Sequence, residues 1–261
     1  DDFKEVHDVI IVGAGAAGIG VAISIAHSGI ENFLIVDRKG VGSSFAAWPA
    51  ETRFITPSFP SNSIGMLDLN SVAIGVSPAF NMRIEHPNGQ EFAEHLQGLA
   101  DYFELPICED TNILSLEKID ELFHLETEEG ILFAKKVIWA AGEFQYPSQG
   151  AFLGSELCLH TSKIKAYSDL AGEDYLIIGG YESGIDAAYH LSKRGKRVRV
   201  FDQNCPWGEE SSDPSVALST YTFERIQSID FETNVELFGE KSVQSITYDG
   251  EMYELKIINL T

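Results

Sequence analysis

One element order is written twice in this chain, and it restricts the fold more than any other feature. The first copy, residues 8–37, reads DVIIVGAGAAGIGVAISIAHSGIENFLIVD; the second, residues 174–202, reads DYLIIGGYESGIDAAYHLSKRGKRVRVFD. Each holds a short β-branched run, a glycine turn, an apolar-periodic helix, a glycine near its end and a second apolar run closing on Asp. Strand, tight turn, helix and strand in that order make a βαβ unit of the dinucleotide-binding kind. Random apolar patches do not yield it twice. The sequence therefore predicts an α/β chain with two Rossmann-like dinucleotide-binding domains, residues 1–150 and 151–261, with the break between residues 147 and 172.

The length of 261 residues suits two such domains or one large one. Eighteen basic residues against 40 acidic ones give a net charge of −22, which repels phosphate backbones and argues against a general nucleic-acid binder. A phosphate-bearing cofactor stays open, because such sites use backbone N–H groups and a helix dipole. Residues 9–26 are free of charge and long enough for a membrane anchor. Gly13, Gly15, Gly18 and Gly20 interrupt that run, and it follows an acidic opening rather than a basic leader. Strand and helix is the better reading, with no membrane expected. Cys108, Cys158 and Cys205 are too few and too scattered for a disulfide framework or a zinc site, and no C-x-x-C occurs. A reduced, cytoplasmic setting follows. The chain opens without Met, which reads as a trimmed or redefined start.

Between the copies, residues 41–80 are rich in Gly, Ser and Pro and hold no period, as functional loops do. Phe92, Leu96, Leu99 and Phe103 then recur at helical spacing and predict a helix ending before Pro106. Residues 113–116, 122–127, 131–133 and 137–139 read as strands of a small meander. Residues 234–260 are strand-like again, with Tyr248-Asp249-Gly250-Glu251 as a hairpin turn.

The first turn, Gly13-Ala14-Gly15-Ala16-Ala17-Gly18, carries chemistry. Gly13 permits the tight turn, Gly15 lets backbone approach a pyrophosphate, and Gly18 lets helix and strand pack closely. Asp37, nineteen residues beyond Gly18, stands where a carboxylate accepts from ribose hydroxyls. The second turn, Gly179-Gly180-Tyr181-Glu182-Ser183-Gly184, puts Tyr181 where the second glycine belongs, and Asp202 takes the ribose position. That acid favours NADH over NADPH. Lys193, Arg194, Lys196, Arg197 and Arg199 cluster nearby and could answer a 2′-phosphate, so NADPH and NADH both stay open. Two nucleotide units on one chain suit a redox relay, a flavin on one and a nicotinamide on the other.

On these residues, with Val41-Gly42-Ser43-Ser44-Phe45, Trp48-Pro49, Ile55-Thr56-Pro57-Ser58-Phe59-Pro60 and Ala140-Ala141-Gly142, the chain resembles two-dinucleotide-binding flavoproteins. Within them it is similar to flavin-containing monooxygenases and bacillithiol-disulfide-reductase-like proteins. The resemblance spans nearly the whole chain and implies a three-layer ββα FAD domain followed by an NAD(P)H domain. It implies FAD at the first turn, with Gly42, Ser43, Ser44 and Trp48 lining flavin and phosphates, Arg38 near the adenine end, and Ala141 and Gly142 turning beside the cofactor. It also implies Trp48, Phe59 and Asn62 as contacts of a flavin and substrate pocket. Ala141 departs from the family's Thr. Phe152-Leu153-Gly154 with His160 resembles the monooxygenase fingerprint, but five residues rather than three separate Gly154 from His160, and a packed loop histidine is the plainer account.

Disulfide reductases of this type carry a cysteine inside the first turn, where this chain has Ala17; Cys205 is the one thiol worth testing. The family's return segment to the FAD domain does not appear after Gly184, so a truncated chain is expected. The reading is an FAD enzyme reduced by NADPH or NADH that oxygenates a small soft nucleophile, with oxygen and the small molecule as partners. No metal is expected, and a homodimer is allowed. A flavin-dependent reductase of small thiol disulfides and a non-catalytic nucleotide sensor are the alternatives.

Overall fold

The computed structural model describes residues 5–59, 68–143 and 145–260. It divides into two compact units, Asp1–Ala47 with Pro57–Tyr146, and Trp48–Thr56 with Pro147–Thr261.

The first unit opens with β1 (Val6–Val12), α1 (Ala16–His27) and β2 (Phe33–Val36), followed by two short helices, α2 (Ser43–Ala46) and α3 (Pro78–Asn81). Then come α4 (Gly89–Tyr102), β3 (Ile107–Cys108), β4 (Ser115–Ile119), β5 (Leu122–Thr127) and β6 (Gly130–Trp139). The charge-free run of residues 9–26 is thus shared between a strand and a helix, as expected. No helix among the described residues is long and apolar enough to cross a membrane.

The strands form one sheet in the order β3-β2-β1-β6-β5-β4. β1 pairs in parallel with β2 and β6, and one row of the register joins Val12 to both Val36 and Trp139. The residues just beyond that row, Gly13, Asp37 and Ala140, therefore meet at the carboxyl ends of the strands, where open α/β sheets bind ligands. The two strands expected at 131–133 and 137–139 are one. The exposed pair Lys135-Lys136 interrupts the apolar pattern without ending the strand, and Lys135 Nζ reaches Asp8 at 2.7 Å. β6 serves the antiparallel meander with its first half and the parallel sheet with its second.

Helix α1 is apolar on nearly every side, as a helix covered on more than one face should be. Ile19, Ala22 and Ile23 are buried. Gly20 admits the irregular stretch, since a Cβ there would lie 2.6 Å from the Val72 carbonyl oxygen. The helix predicted from Phe92 onward is α4. Asn88 and Glu91 close its start as a reciprocal capping box, and Phe92, Leu96 and Leu99 form its buried face.

The second unit holds β7 (Asp174–Ile178), α5 (Glu182–Ser192), β8 (Arg197–Phe201), α6 (Thr220–Ile226), α7 (Ile229–Asn234) and β9 (Val235–Phe238). A hairpin, β10 (Lys241–Tyr248) and β11 (Tyr253–Asn259), closes the chain. β7, β8 and β9 are parallel and in that order. Ile185, Ala188 and Leu191 of α5 pack on Val198 and Val200. The hairpin turn falls where expected. Asp249 Oδ1 accepts from the N–H groups of Glu251 and Met252, both at 2.8 Å.

Residues 48–56 join this unit through several bonds. The Ala50 N–H meets the Lys165 carbonyl at 2.8 Å, and Glu51 accepts from the N–H groups of Tyr167 and Ser168, both at 2.9 Å. Thr52 Oγ1 donates to Asp186 at 2.7 Å.

Candidate functional site

The two glycine turns repeat each other bond for bond. Gly13 N donates to the Val36 carbonyl and Gly179 N to the Phe201 carbonyl, both at 2.8 Å. Ala14 N reaches Asp37 Oδ2 at 2.8 Å, and Gly180 N reaches Asp202 Oδ2 at 2.7 Å. A Cβ on Gly18 would lie 1.8 Å from the Gly13 carbonyl oxygen; one on Gly184 would lie 1.8 Å from that of Gly179. These third glycines are therefore imposed by packing of turn against helix.

In the first unit, a dinucleotide's pyrophosphate fits what is present. Helix α1 carries no side-chain cap and no acid in its first turn, so its unpaired N–H groups and positive dipole end face outward over Ala16 and Ala17. Gly15 has an ordinary φ of −81°, and a Cβ there would meet nothing within 4 Å. Gly13 has a φ of +111°, and its Cβ would strike the Ala140 carbonyl oxygen at 2.2 Å. That contact brings the Ala140-Ala141-Gly142 turn beside the first glycine turn. Gly142 has a φ of +79°, and the Ala141 carbonyl accepts from Gln145 Nε2.

Gly42 also belongs here, since its N–H meets the Ala14 carbonyl at 3.0 Å. It has a φ of +65°, and a Cβ there would press on Ala93 Cα at 2.8 Å. Ser43 is half-buried and Ser44 exposed at the start of α2. Asp37 is more occupied than the sequence suggests. Besides Ala14, its Oδ1 accepts from the N–H groups of Lys39 and Gly40, both at 2.8 Å. About one of a carboxylate's four acceptor sites is left for a ribose. Arg38 beside it is exposed.

The sequence named Trp48, Phe59 and Asn62 for a pocket. Phe59 lies in the first unit, 45% exposed, with its N–H on Asp68 Oδ2 at 3.1 Å. Trp48 belongs to the second unit, its ring 5.1 Å from that of Phe54. Asn62 lies outside the described residues.

In the second unit, Gly179 has a φ of +97° with open space where its Cβ would be, and Ser183 is exposed. Tyr181 donates through its hydroxyl to the Ala217 carbonyl at 3.0 Å, which anchors the ring on the loop before α6. Trp207 covers Gly180, where a Cβ would lie 2.3 Å from the indole. Glu182 turns its carboxylate to the Ser219 N–H at 2.6 Å and to the Thr222 hydroxyl. The start of α5 carries no side-chain cap, so its N–H groups stay available to an anion.

The fingerprint residues prove local. Gly154, at φ +84°, is needed because its Cβ would meet the Ile246 carbonyl oxygen at 2.0 Å. His160 Nδ1 caps its own loop, accepting from the Ser162 N–H at 3.1 Å. Two clusters escaped the sequence reading. Asp68 gathers the N–H groups of Phe59 and Asn70 and the hydroxyls of Ser71 and Ser77. The Asp68-Leu69-Asn70 spacing is an Asx-turn signal that could have flagged it. Beside it His95 is buried, and burial lowers its imidazole, although the Asp68 charge opposes this. The second cluster surrounds Asp186, with Arg225 Nη2 at 2.7 Å, His190 Nε2 at 3.3 Å and Thr52 Oγ1 at 2.7 Å.

Two βαβ units, each presenting a glycine turn and a carboxylate at its strand ends, define a two-domain α/β oxidoreductase fold of the flavoprotein type. A family model described as pyridine nucleotide-disulphide oxidoreductase matches residues 10–260, and the chain belongs to that family. FAD and a pyridine nucleotide are the cofactors expected of it. Bacillithiol disulfide reductase of Staphylococcus aureus superposes with a TM-score of 0.75 at 22% identity, covering 98% of this chain and 74% of its own. A flavin-containing monooxygenase of Stenotrophomonas maltophilia does so at 0.72 and 15%, covering 97% and 76%. At such identities the likeness is one of fold. A CzcO-like oxidoreductase of Geobacillus kaustophilus is 29% identical over 194 residues, which cover 73% of this chain and 53% of that protein. The chain spans about half the length of the curated relatives it matches.

Proposed function

We propose that the protein is an FAD-dependent NAD(P)H oxidoreductase that uses nicotinamide electrons to reduce dioxygen, delivering one oxygen atom to a small soft nucleophile and the other to water, as flavin-containing monooxygenases do. The observation that carries the choice is the absence of a thiol at the first turn. Ala16 and Ala17 occupy the first turn of α1, where a thiolate mechanism would need its cysteine. Cys108 lies on β3, two strands away from β1 and so about 10 Å off, with its sulfur 3.1 Å from Thr111 Oγ1. Cys158 belongs to the second unit, where burial and the Glu156 charge push its thiol up, and Cys205 lies there too.

Bound FAD would supply a two-electron acceptor for a nicotinamide hydride. The chain's own part is to hold and orient. The α1 N–H groups and the open face of Gly15 take the pyrophosphate, the last acceptor site of Asp37 takes a ribose hydroxyl, and Gly42 sets the Ser43-Ser44 turn beside them. Phe59, fixed through its N–H by Asp68, offers an apolar wall that keeps water from the flavin. Trp48 and Asn62 are proposed as further contacts of flavin and substrate. The test is a visible spectrum of the purified protein, reduced anaerobically with NADH or NADPH and then exposed to air. A bleached flavin that passes through a long-lived intermediate before reoxidising is expected. Prompt reoxidation without one would remove the monooxygenase reading and favour an oxidase or a disulfide reductase.

A further inference from the structure

In a βαβ nucleotide site the adenine ribose lies at the carboxyl end of the second strand, and the groups there decide between a 2′-hydroxyl and a 2′-phosphate. In the second unit that end is Asp202. Its Oδ2 accepts from Gly180 N and its Oδ1 from Asn204 N, both at 2.7 Å. About two of its four acceptor sites remain for ribose hydroxyls. The five cations that the sequence offers for a 2′-phosphate stand elsewhere. Arg197 opens β8 and Asp202 follows its last residue, so the two lie about 16 Å apart along the strand. Lys196 is bonded to Glu173 at 2.6 Å, Arg197 to Asp174 at 2.7 Å and Arg194 to Glu51 at 3.3 Å. Lys193 stands over the Tyr189 ring at 5.2 Å. Arg199 is exposed, out of phase with Val198 and Val200, which pack on α5.

One more cation comes close. The Lys241 N–H meets the Asp202 carbonyl at 2.9 Å, but its ammonium is engaged with Asn259 Oδ1 at 2.8 Å. Gln203 and Asn204 beside the acid are uncharged, and the loop beyond them adds Glu209, Glu210 and Asp213. A phosphate dianion placed there would face the Asp202 carboxylate, and among the described residues the nearest of the five cations along β8, Arg199, stands three residues back, about 10 Å along the strand.

We propose that the second glycine turn takes NADH and discriminates against NADPH, with Asp202 as the residue that sets the preference. The inference rests on the nicotinamide reading above and deepens it. The test is equilibrium binding to the purified full chain, by calorimetry, of NADH, NADPH, ADP-ribose and 2′-phospho-ADP-ribose. NADH is expected to bind about tenfold or more tighter than NADPH, and the ADP-ribose pair should show the same ratio, because the discrimination lies in the adenosine half. Equal affinities, or tighter NADPH, overturn the preference and leave the nicotinamide reading standing. Failure of all four ligands to bind overturns both. Asp202→Ala would also strip the Gly180 and Asn204 N–H groups of their acceptor, so the more telling variant is Asp202→Asn, which keeps an acceptor oxygen and removes the charge. Its NADH-to-NADPH ratio should fall several-fold. A ratio that does not move removes Asp202 as its cause.

Discussion

Gly15 and Gly18 sit three residues apart in one turn and answer to different constraints. A Cβ on Gly18 must displace the Gly13 carbonyl, which it would approach to 1.8 Å, whatever is bound. A Cβ on Gly15 meets no protein atom within 4 Å, so only a ligand gives a reason to exclude it. Gly18→Ala is therefore expected to cost about 1–3 kcal/mol of stability through overpacking. Gly15→Ala should stay within about 0.5 kcal/mol yet lower FAD affinity by roughly an order of magnitude, as blocked phosphate approach requires. Melting of the flavin-free proteins and the flavin absorbance of reconstituted ones separate the two effects; a Gly15→Ala protein that binds FAD normally would remove Gly15 from the site. Both glycines were legible in the sequence because a tight turn is a local matter. The occupancy of Asp37 was not. Its bonds to Lys39 and Gly40 depend on how the chain bends after β2, and nothing in the residue types announces that bend.

Helix α5 is tied at its middle by charge, and the tie reaches far along the chain. Arg225 Nη2 lies 2.7 Å from Asp186 Oδ1, its guanidinium stacks over Tyr189 at 4.2 Å, and His190 lies parallel to the Tyr167 ring at 5.6 Å. Burial, and then the Asp186 charge, raise the Tyr167 hydroxyl above the usual phenol range, so it stays a neutral donor. Burial pushes the Asp186 carboxyl up, but His190, Arg225 and Thr52 together hold it below the ordinary carboxylate range. A depressed carboxylate contributes stability that is complete above its unfolded pKa of about 3.9 and is lost as pH falls through the folded value. The wild type should therefore keep this contribution at both pH 7 and pH 5. Arg225→Leu removes one of the three supports, leaving His190 and Thr52 against burial, and should cost about 3–5 kcal/mol at pH 7. The cost should shrink as pH falls below the unfolded value of about 3.9, because a protonated carboxyl no longer needs the cation. Urea denaturation at pH 7 and at about pH 3 reads this directly. An equal cost at both would mean that the charge of Asp186 is not what Arg225 answers. The Asp186–His190 spacing is readable on a helix, whereas Thr52 is 134 residues away in sequence and no local pattern points to it. β6 failed in the same way, since two lysines looked like a gap until the neighbouring strands showed a single ladder.

At the scale of the whole molecule, the repeated βαβ order carried the architecture, because each half needs only its own residues to form strand, turn and helix. The assignment of residues 48–56 to the second unit rests on bonds to Lys165, Tyr167, Ser168 and Asp186, all far along the chain, and could not be read in advance. Net charge was legible from composition alone, and it makes a prediction of its own. A chain carrying −22 repels any dinucleotide at long range, while the groups proposed to hold one here are uncharged backbone N–H groups at helix ends. Raising salt from about 0.01 M to 0.15 M shortens the screening length from roughly 30 Å to 8 Å. It should screen the repulsion and leave the short N–H contacts intact, so NADH affinity should tighten by about two- to fivefold across that range. A site built on lysine or arginine contacts to phosphate behaves in the opposite sense, because its attraction is what salt screens. Calorimetric titration at the two ionic strengths distinguishes them. Weaker binding in the higher salt would mean that cations hold the nucleotide after all, and the discrimination assigned to Asp202 would lose its physical basis.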